Sequence, residues 1–330
     1  MYDFSNVVIS SSPHIKSSED TRSIMLDVII ALIPSLCVST YVFGPRAILM
    51  TVVSVLACMV FESLYNKILK QPNTVGDLSA AVTGVLLAFV VPVTLPYWML
   101  IVGDGIAMIF AKALFGGIGK NFINPALAGR AFLMASWPVA MTTWVAAHGV
   151  VGLVSTADAI SVATPMAILK GTAQDELPTL ANMFLGQVGG SMGEVSALAL
   201  IIGGIYLLYR KVITIHIPAA YILTVAVLTL LVPSAGLSNV ESMLYNVFGG
   251  GLMLGAIFMA TDYVTSPVSK KGQVIFGVGC GLLTFMIRTW GGYPEGVCYS
   301  IMIMNCTVWL IDKYTRPTKF GAPAKTKKEG

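Results

Sequence analysis

Ile24-Met-Leu-Asp-Val-Ile-Ile-Ala-Leu-Ile-Pro-Ser-Leu-Cys-Val-Ser-Thr-Tyr-Val-Phe43 carries one charged side chain, Asp27, in twenty residues. A helix of that length, at a rise of about 1.5 Å per residue, covers the roughly 30 Å hydrocarbon core of a bilayer. The residues before it are polar and of mixed charge, and no small-residue cleavage site follows. The run is therefore expected to be a retained first span rather than a removed leader.

The same pattern recurs to the end of the chain. Apolar runs cover about 24–43, 47–69, 80–95, 98–115, 127–143, 195–209, 217–232, 244–261, 274–287 and 296–311. Hydrophobic residues make up 56% of the 330 positions, charged residues only 11%, and the mean hydropathy is +0.81. Soluble domains carry about 25% charged residues, so a water-exposed globular enzyme is excluded. The expected fold is an all-α polytopic membrane protein of ten transmembrane helices. Several runs are short and broken by Gly and Pro, which only backbone buried in a bundle or lining a cavity tolerates. Eight spans plus re-entrant pieces is the other count these runs allow.

Charge sets the orientation. With ten spans and a cytoplasmic N-terminus, 16 of the 20 Lys and Arg fall in inside segments. Arg46, Lys170 and Arg288 fall outside, and Arg130 lies within the fifth run. The positive-inside rule supports this arrangement, with both termini cytoplasmic at the cell membrane. The expected division is a cytoplasmic segment 1–23, a first membrane half 24–145, an outer loop 146–194, a second half 195–312 and a basic tail 313–330. The tail suits a cytoplasmic face of anionic lipid. Five runs in each half would give the halves opposite orientations, as in inverted-repeat transporters. Gly84-Val-Leu-Leu-Ala-Phe-Val-Val-Pro-Val-Thr-Leu-Pro96 and the stretch Gly251 to Pro267 both pass from a Gly-led apolar helix into a Thr/Pro turn.

Three constellations carry chemistry. In Gly116-Gly-Ile-Gly-Lys-Asn-Phe-Ile-Asn-Pro-Ala-Leu-Ala-Gly-Arg130, glycines allow close backbone approach, and Asn121 and Asn124 suit a tight turn. Arg130 sits inside the apolar helix and needs an anionic or carbonyl partner. The motif is either a polar cradle for a cofactor or a structural turn whose arginine braces a neighbouring helix. In Asp158-Ala-Ile-Ser-Val-Ala-Thr-Pro-Met-Ala-Ile-Leu169, Thr164 and Pro165 read as N-cap and first helical residue. A phosphate on the Thr164 hydroxyl would meet free N–H groups there; the plain alternative is an ordinary capped helix. The acids Asp27, Asp104 and Asp262 lie in or beside spans and are candidates to pass protons or sodium, or to form helix-to-helix salt bridges or caps. Five cysteines without a Cys-x-x-Cys pair, and three scattered histidines, point to neither an iron–sulfur cluster nor a metal site in this chain.

At these motifs the sequence resembles the D subunits of Rnf-type ion-translocating ferredoxin:NAD oxidoreductases. The B subunit of the sodium-pumping NADH:quinone reductase belongs to the wider family. The likeness runs from Ser12-Pro-His-Ile-Lys16 through Asp77-Leu-Ser-Ala-Ala-Val-Thr-Gly84 and Asn121–Arg130 to Met259-Ala-Thr-Asp-Tyr-Val-Thr-Ser-Pro267 and Gly291-Gly-Tyr-Pro-Glu-Gly296. It implies FMN tied through its phosphate to Thr164 of Ser161-Val-Ala-Thr164, preceded by Asp158, with Val162 where the family pattern has glycine. It also implies riboflavin near Asn121–Arg130, sodium or protons as the transported ion, and partner subunits. Those partners carry a second covalent FMN and the iron–sulfur clusters. The fold implied resembles urea transporters, so a redox-free solute channel or transporter is the rival function.

Overall fold

The computed structural model describes residues 20–148, 153, 161–173, 175–234 and 236–316. Helix α1 (Thr21–Phe43) starts on Asp20, whose carboxylate accepts the Ser23 N–H at 2.8 Å. It stops at Gly44, where φ is +80°, a conformation glycine adopts without strain. Two residues later α2 (Arg46–Ile68) begins, so the pair packs antiparallel. Both helices bury one stripe and expose large apolar residues outward, among them Leu26, Ile33, Leu56 and Val60. In water such a face would be costly; against lipid tails it is the expected surface.

Two short helices lie at the centre. Every residue of α3 (Ser79–Phe89) is buried. So is every residue of α12 (Leu252–Leu254) and of the π-helical turn Gly255–Met259 that continues it. Each starts from a left-handed residue, Leu78 at φ +63° and Gly251 at φ +70°. The same nineteen-residue step leads from Leu78 to Tyr97, which opens α4 (Tyr97–Gly105), and from Gly251 to Lys270, which opens α13 (Lys270–Trp290). Leu78 and Gly251 thus stand at the same distance before the helix that follows each. Helix α4 continues as a π-helical stretch, Ile106–Lys112, and a closing turn, Ala113–Phe115.

Each central helix is pinned at its start by a basic residue near the end of the long helix that follows. Lys112 donates to Ser79 Oγ at 2.6 Å, and Arg288 donates to the carbonyls of Gly249 and Gly250 at 3.1 Å. The exits are tied as well. Arg46 donates to the Val93 and Leu95 carbonyls at 2.7 and 3.2 Å, and the Tyr263 hydroxyl donates to the Val212 carbonyl.

The remaining elements enclose this core. In the first half they are α5 (Pro125–Ser136) and α6 (Pro138–Met141). In the second they are α9 (Ala197–Tyr209), α10 (His216–Leu231), α11 (Asn239–Phe248) and α14 (Val297–Thr315). Between the halves lie the two-residue strands β1 (Trp144–Val145) and β2 (Ser161–Val162), paired antiparallel, then α7 (Pro165–Leu169) and α8 (Leu180–Leu185).

Lipid tails are as apolar as side chains, so close packing holds a membrane bundle together. Glycines make it close here. A Cβ on Gly203 of α9 would collide with the Ala31 carbonyl of α1, and one on Gly84 of α3 would stand 2.7 Å from Val55 Cα. Each of the ten apolar runs carries helix. Among the described residues four helices are long and apolar enough to cross alone, and the bent pair α11–α12, kinked by 60°, makes a fifth. Helices α3, α9 and α10 are apolar but shorter. The protein is thus a polytopic helical membrane protein. Of the five thiols, Cys58, Cys280 and Cys298 are buried, while Cys37 and Cys306 are exposed.

Candidate functional site

Two chambers with buried polar groups lie at the core. The first surrounds Thr164. The hairpin of β1 and β2, with Trp144 opposite Val162 and Val145 opposite Ser161, delivers the chain to this residue. Ser161 is described only through that backbone pairing, and Asp158 lies outside the described residues. Thr164 is the N-cap of α7 as expected: its hydroxyl accepts the Ala167 N–H at 3.2 Å, and the residue is 5% exposed. Helix α7 has only five residues, too short for a strong helix dipole. Its far end is anchored by Lys170, which donates to the carbonyls of Ile287 at 3.3 Å, Tyr293 at 2.9 Å and Gly291. Desolvation there holds the Lys170 ammonium below the ordinary lysine range.

Beside Thr164 is a cavity of about 30 Å³ bordered by Gly189, Gly190, Gly249 and Gly250, with Glu194 and Glu295 on its wall. Arg130 lies between those carboxylates, 3.5 Å from Glu194 Oε1 and in contact with Glu295 Oε2. Arg288 braces the same wall through the Asn246 and Glu295 carbonyls at 2.6 and 2.9 Å. Removing one member of such a buried charge cluster would leave the others uncompensated. A side pocket of about 50 Å³, edged by Trp144, Tyr293 and Tyr299, adjoins Arg130 and Glu295. Open space adjoins only Gly190 of these glycines; a Cβ on Gly189, Gly249 or Gly250 would meet a neighbour at 2.7–2.8 Å. The cavity itself is about the size of one water, so a ring system attached at Thr164 would lie outside it.

The second chamber, of about 270 Å³, has apolar walls from Met25, Val28, Leu86 and Phe258 and polar groups from Lys112, Asn121, Asn124 and Asp262. That volume approaches the lower end of ligand pockets, about 300 Å³, and suits a flat ring. Asn124 caps α5 by accepting the Ala126 N–H at 3.0 Å, and donates to the Met259 carbonyl at 3.2 Å, tying the halves together. Asn121 donates to the Ile123 carbonyl at 3.2 Å. Asp262 accepts from Thr265 Oγ1 at 3.0 Å.

The sequence motif Asn121–Arg130 is thereby divided. Asn121 and Asn124 face the second chamber, whereas Arg130 reaches the first, because six residues of helix separate Asn124 from Arg130 by about 9 Å. Asp27 accepts from Tyr206 Oη at 2.8 Å and pairs with Arg210 Nε at 3.0 Å, which joins α1 to α9. Asp104 is buried away from both chambers. Four residues of these chambers escape sequence reasoning as site residues: Lys112, Glu194, Arg288 and Glu295. The available signal is a basic residue within or beside an apolar run, and an acid one residue from the start of one.

Fold and site together define a multispanning helical protein with a buried charge cluster at one chamber and a ring-sized, mostly apolar chamber at the other. The chain belongs to the NQR2, RnfD, RnfE family, which it matches over residues 8–321. It is 47% identical to the D subunit of the Na(+)-translocating ferredoxin:NAD(+) oxidoreductase complex of Acetobacterium woodii, over 98% of both chains. It is 43% identical to the D subunit of the proton-translocating ferredoxin:NAD(+) oxidoreductase complex of Clostridium ljungdahlii, over 95% of this chain and 96% of that one. The D subunit of the ion-translocating oxidoreductase complex of Ectopseudomonas mendocina is 36% identical over 94% of this chain and 95% of its own.

Proposed function

We propose that this chain is the flavin-carrying membrane subunit of an Rnf-type complex, coupling electron transfer between ferredoxin and NAD to the movement of sodium or protons. The observation that carries it is end-to-end identity to such subunits, together with a buried, helix-capping Thr164 in Ser161-Val-Ala-Thr164. FMN is esterified to Thr164, on the outer side. Riboflavin occupies the second chamber, on the inner side, where Asn121, Asn124 and Lys112 offer donors to ring carbonyls and nitrogens. Bound flavins supply one- and two-electron redox chemistry; the protein supplies position and charge. Arg130, Glu194 and Glu295 fix the charge near the ester.

The two halves form a five-plus-five inverted repeat of ten spans, in the manner of urea transporters, with both termini cytoplasmic. The tied entries and exits of α3 and α12 support that reading. One elementary charge crossing the membrane exchanges about 2.3 kcal/mol per 100 mV, so electron flow across it can drive an ion. Partner subunits supply the iron–sulfur clusters, a second covalent FMN and the nicotinamide site. Asp27, Asp104 and Asp262 are the candidate ion path. One relative is named for sodium and another for protons, so likeness to them leaves the ion to experiment.

The test is the native complex on a denaturing gel. This chain should fluoresce as a flavoprotein and exceed its polypeptide mass by one attached mononucleotide, and Thr164→Ala should lose both signals. A colourless chain of unmodified mass that carries a solute into liposomes would replace this reading with a redox-free transporter. Ion transport in sodium-free buffer, with and without a protonophore, assigns the ion.

A further inference from the structure

Asp104 lies between Gly103 and Gly105 at the end of α4 and is 0% exposed. Its surroundings from every packed element are plain. From α5, Leu133 presses on Gly103; from α2, the Phe61 ring presses on Gly105. The polar groups that face it are Ser54 and Cys58 of α2, and Ser54 also meets the Gly84 carbonyl of α3. Lys112, the basic residue farther along the same helix, is held by Glu62 at 2.9 Å and Ser79 at 2.6 Å.

Hydrogen counting then fixes the state of the acid. Ser54 Oγ stands 2.6 Å from Asp104 Oδ1 and 2.9 Å from the Gly84 carbonyl oxygen. A hydroxyl owns one hydrogen, and a carbonyl only accepts. With a carboxylate at 104, Ser54 satisfies one neighbour and sets its lone pairs against the other. With a proton on Oδ1, the acid donates to Ser54 and Ser54 donates to Gly84, and both contacts are made. The other oxygen, Oδ2, is buried with no hydrogen-bond partner. An ionised group so placed would bear the several-kcal/mol penalty of an unpaired buried charge. A hard cation would need several oxygen ligands, whereas Cys58 offers a soft sulfur on one side.

We infer that Asp104 is a buried proton site, a neutral hydrogen-bond donor rather than a cation ligand. Ser54, Cys58 and Glu62 follow one another at four-residue steps along one face of α2. They form a polar seam from Asp104 to Lys112, which lines the second chamber. Glu62 Oε2 in that seam is likewise buried and unpartnered. The inference deepens the proposed ion coupling and rests on it in one respect: an ion that passes Asp104 is a proton, whichever ion passes elsewhere.

Infrared spectroscopy of the purified native complex tests it. The native spectrum minus that of Asp104→Asn should show the carbonyl band of a neutral carboxylic acid at pH 7. Ser54→Ala should keep that band and shift it to higher frequency, because the acceptor is gone; this arm decides the matter if Asp104→Asn fails to assemble. Replacing potassium chloride by sodium chloride should leave the band unchanged. Loss of ionised-carboxylate bands in Asp104→Asn, no shift in Ser54→Ala, or disappearance of the acid band in sodium would each overturn the proton site. In-gel flavin fluorescence of the same samples reports on the flavin reading separately, so failure of one is distinguishable from failure of the other.

Discussion

Leu78 shows what a single residue can store. It is a large side chain at φ +63°, where a non-glycine residue costs about 1–2 kcal/mol. Leu78→Gly is expected to raise stability by about 1 kcal/mol, read from thermal unfolding of the complex in detergent. Gly251 has no such slack: a Cβ there would collide with Glu194 Oε1. Gly251→Ala should lower the unfolding temperature, because the new Cβ pushes Glu194 away from Arg130. Arg130 bears a larger share. Arg130→Met leaves Glu194 and Glu295 buried without their cation and should cost about 3–5 kcal/mol. Adding Glu194→Gln and Glu295→Gln should return part of that, since the two stranded carboxylates are gone and only Arg288, held by backbone carbonyls, stays buried and charged. The sequence made Arg130 legible as an arginine in need of a partner. It did not show the partner, because Glu295 is 165 residues away and no local periodicity links positions so distant.

At the scale of elements, α3 and α12 depart most from what periodicity can show. A helix buried on all sides has no polar face, so its pattern matches that of a lipid-facing span. Only the glycines hinted that other backbones come close. The contact of Gly203 with the Ala31 carbonyl makes a sharp test: Gly203→Leu should keep α1 and α9 apart and give a complex that dissociates or fails to extract from membranes as one species. The cap of α7, by contrast, was legible from Thr164-Pro165 alone, because capping is local chemistry. The Lys170 anchor was not, since its carbonyl partners belong to the end of α13 and the turn after it.

At the scale of the whole molecule, helix α5 links the two chambers. Asn124 borders the second chamber, and Arg130 borders the side pocket beside the first. On the proposed reading, Met25→Trp, which fills the second chamber from α1, should lower the non-covalent flavin content of the complex and leave fluorescence at Thr164 unchanged. That content is measured by extracting flavin and comparing it with the covalent fraction. In the sequence, the long small-residue segment after Ala146 separates two sets of apolar runs. The lengths of the crossings were not legible there. Apolar composition records that a segment avoids water, and it is equally met by lipid and by neighbouring helices.

The walls around Thr164 come from parts of the chain made at very different times. Its cavity is closed by Gly249, Gly250 and Glu295, and its loop is clamped by Lys170 to carbonyls as late as Tyr293. During synthesis the threonine therefore emerges long before the residues that bury it. Any enzyme that modifies its hydroxyl has free access only until α13 and α14 are in place. After that, a residue 5% exposed is reached only if the loop lifts off again. The order of events in biogenesis is written into which residues form the wall.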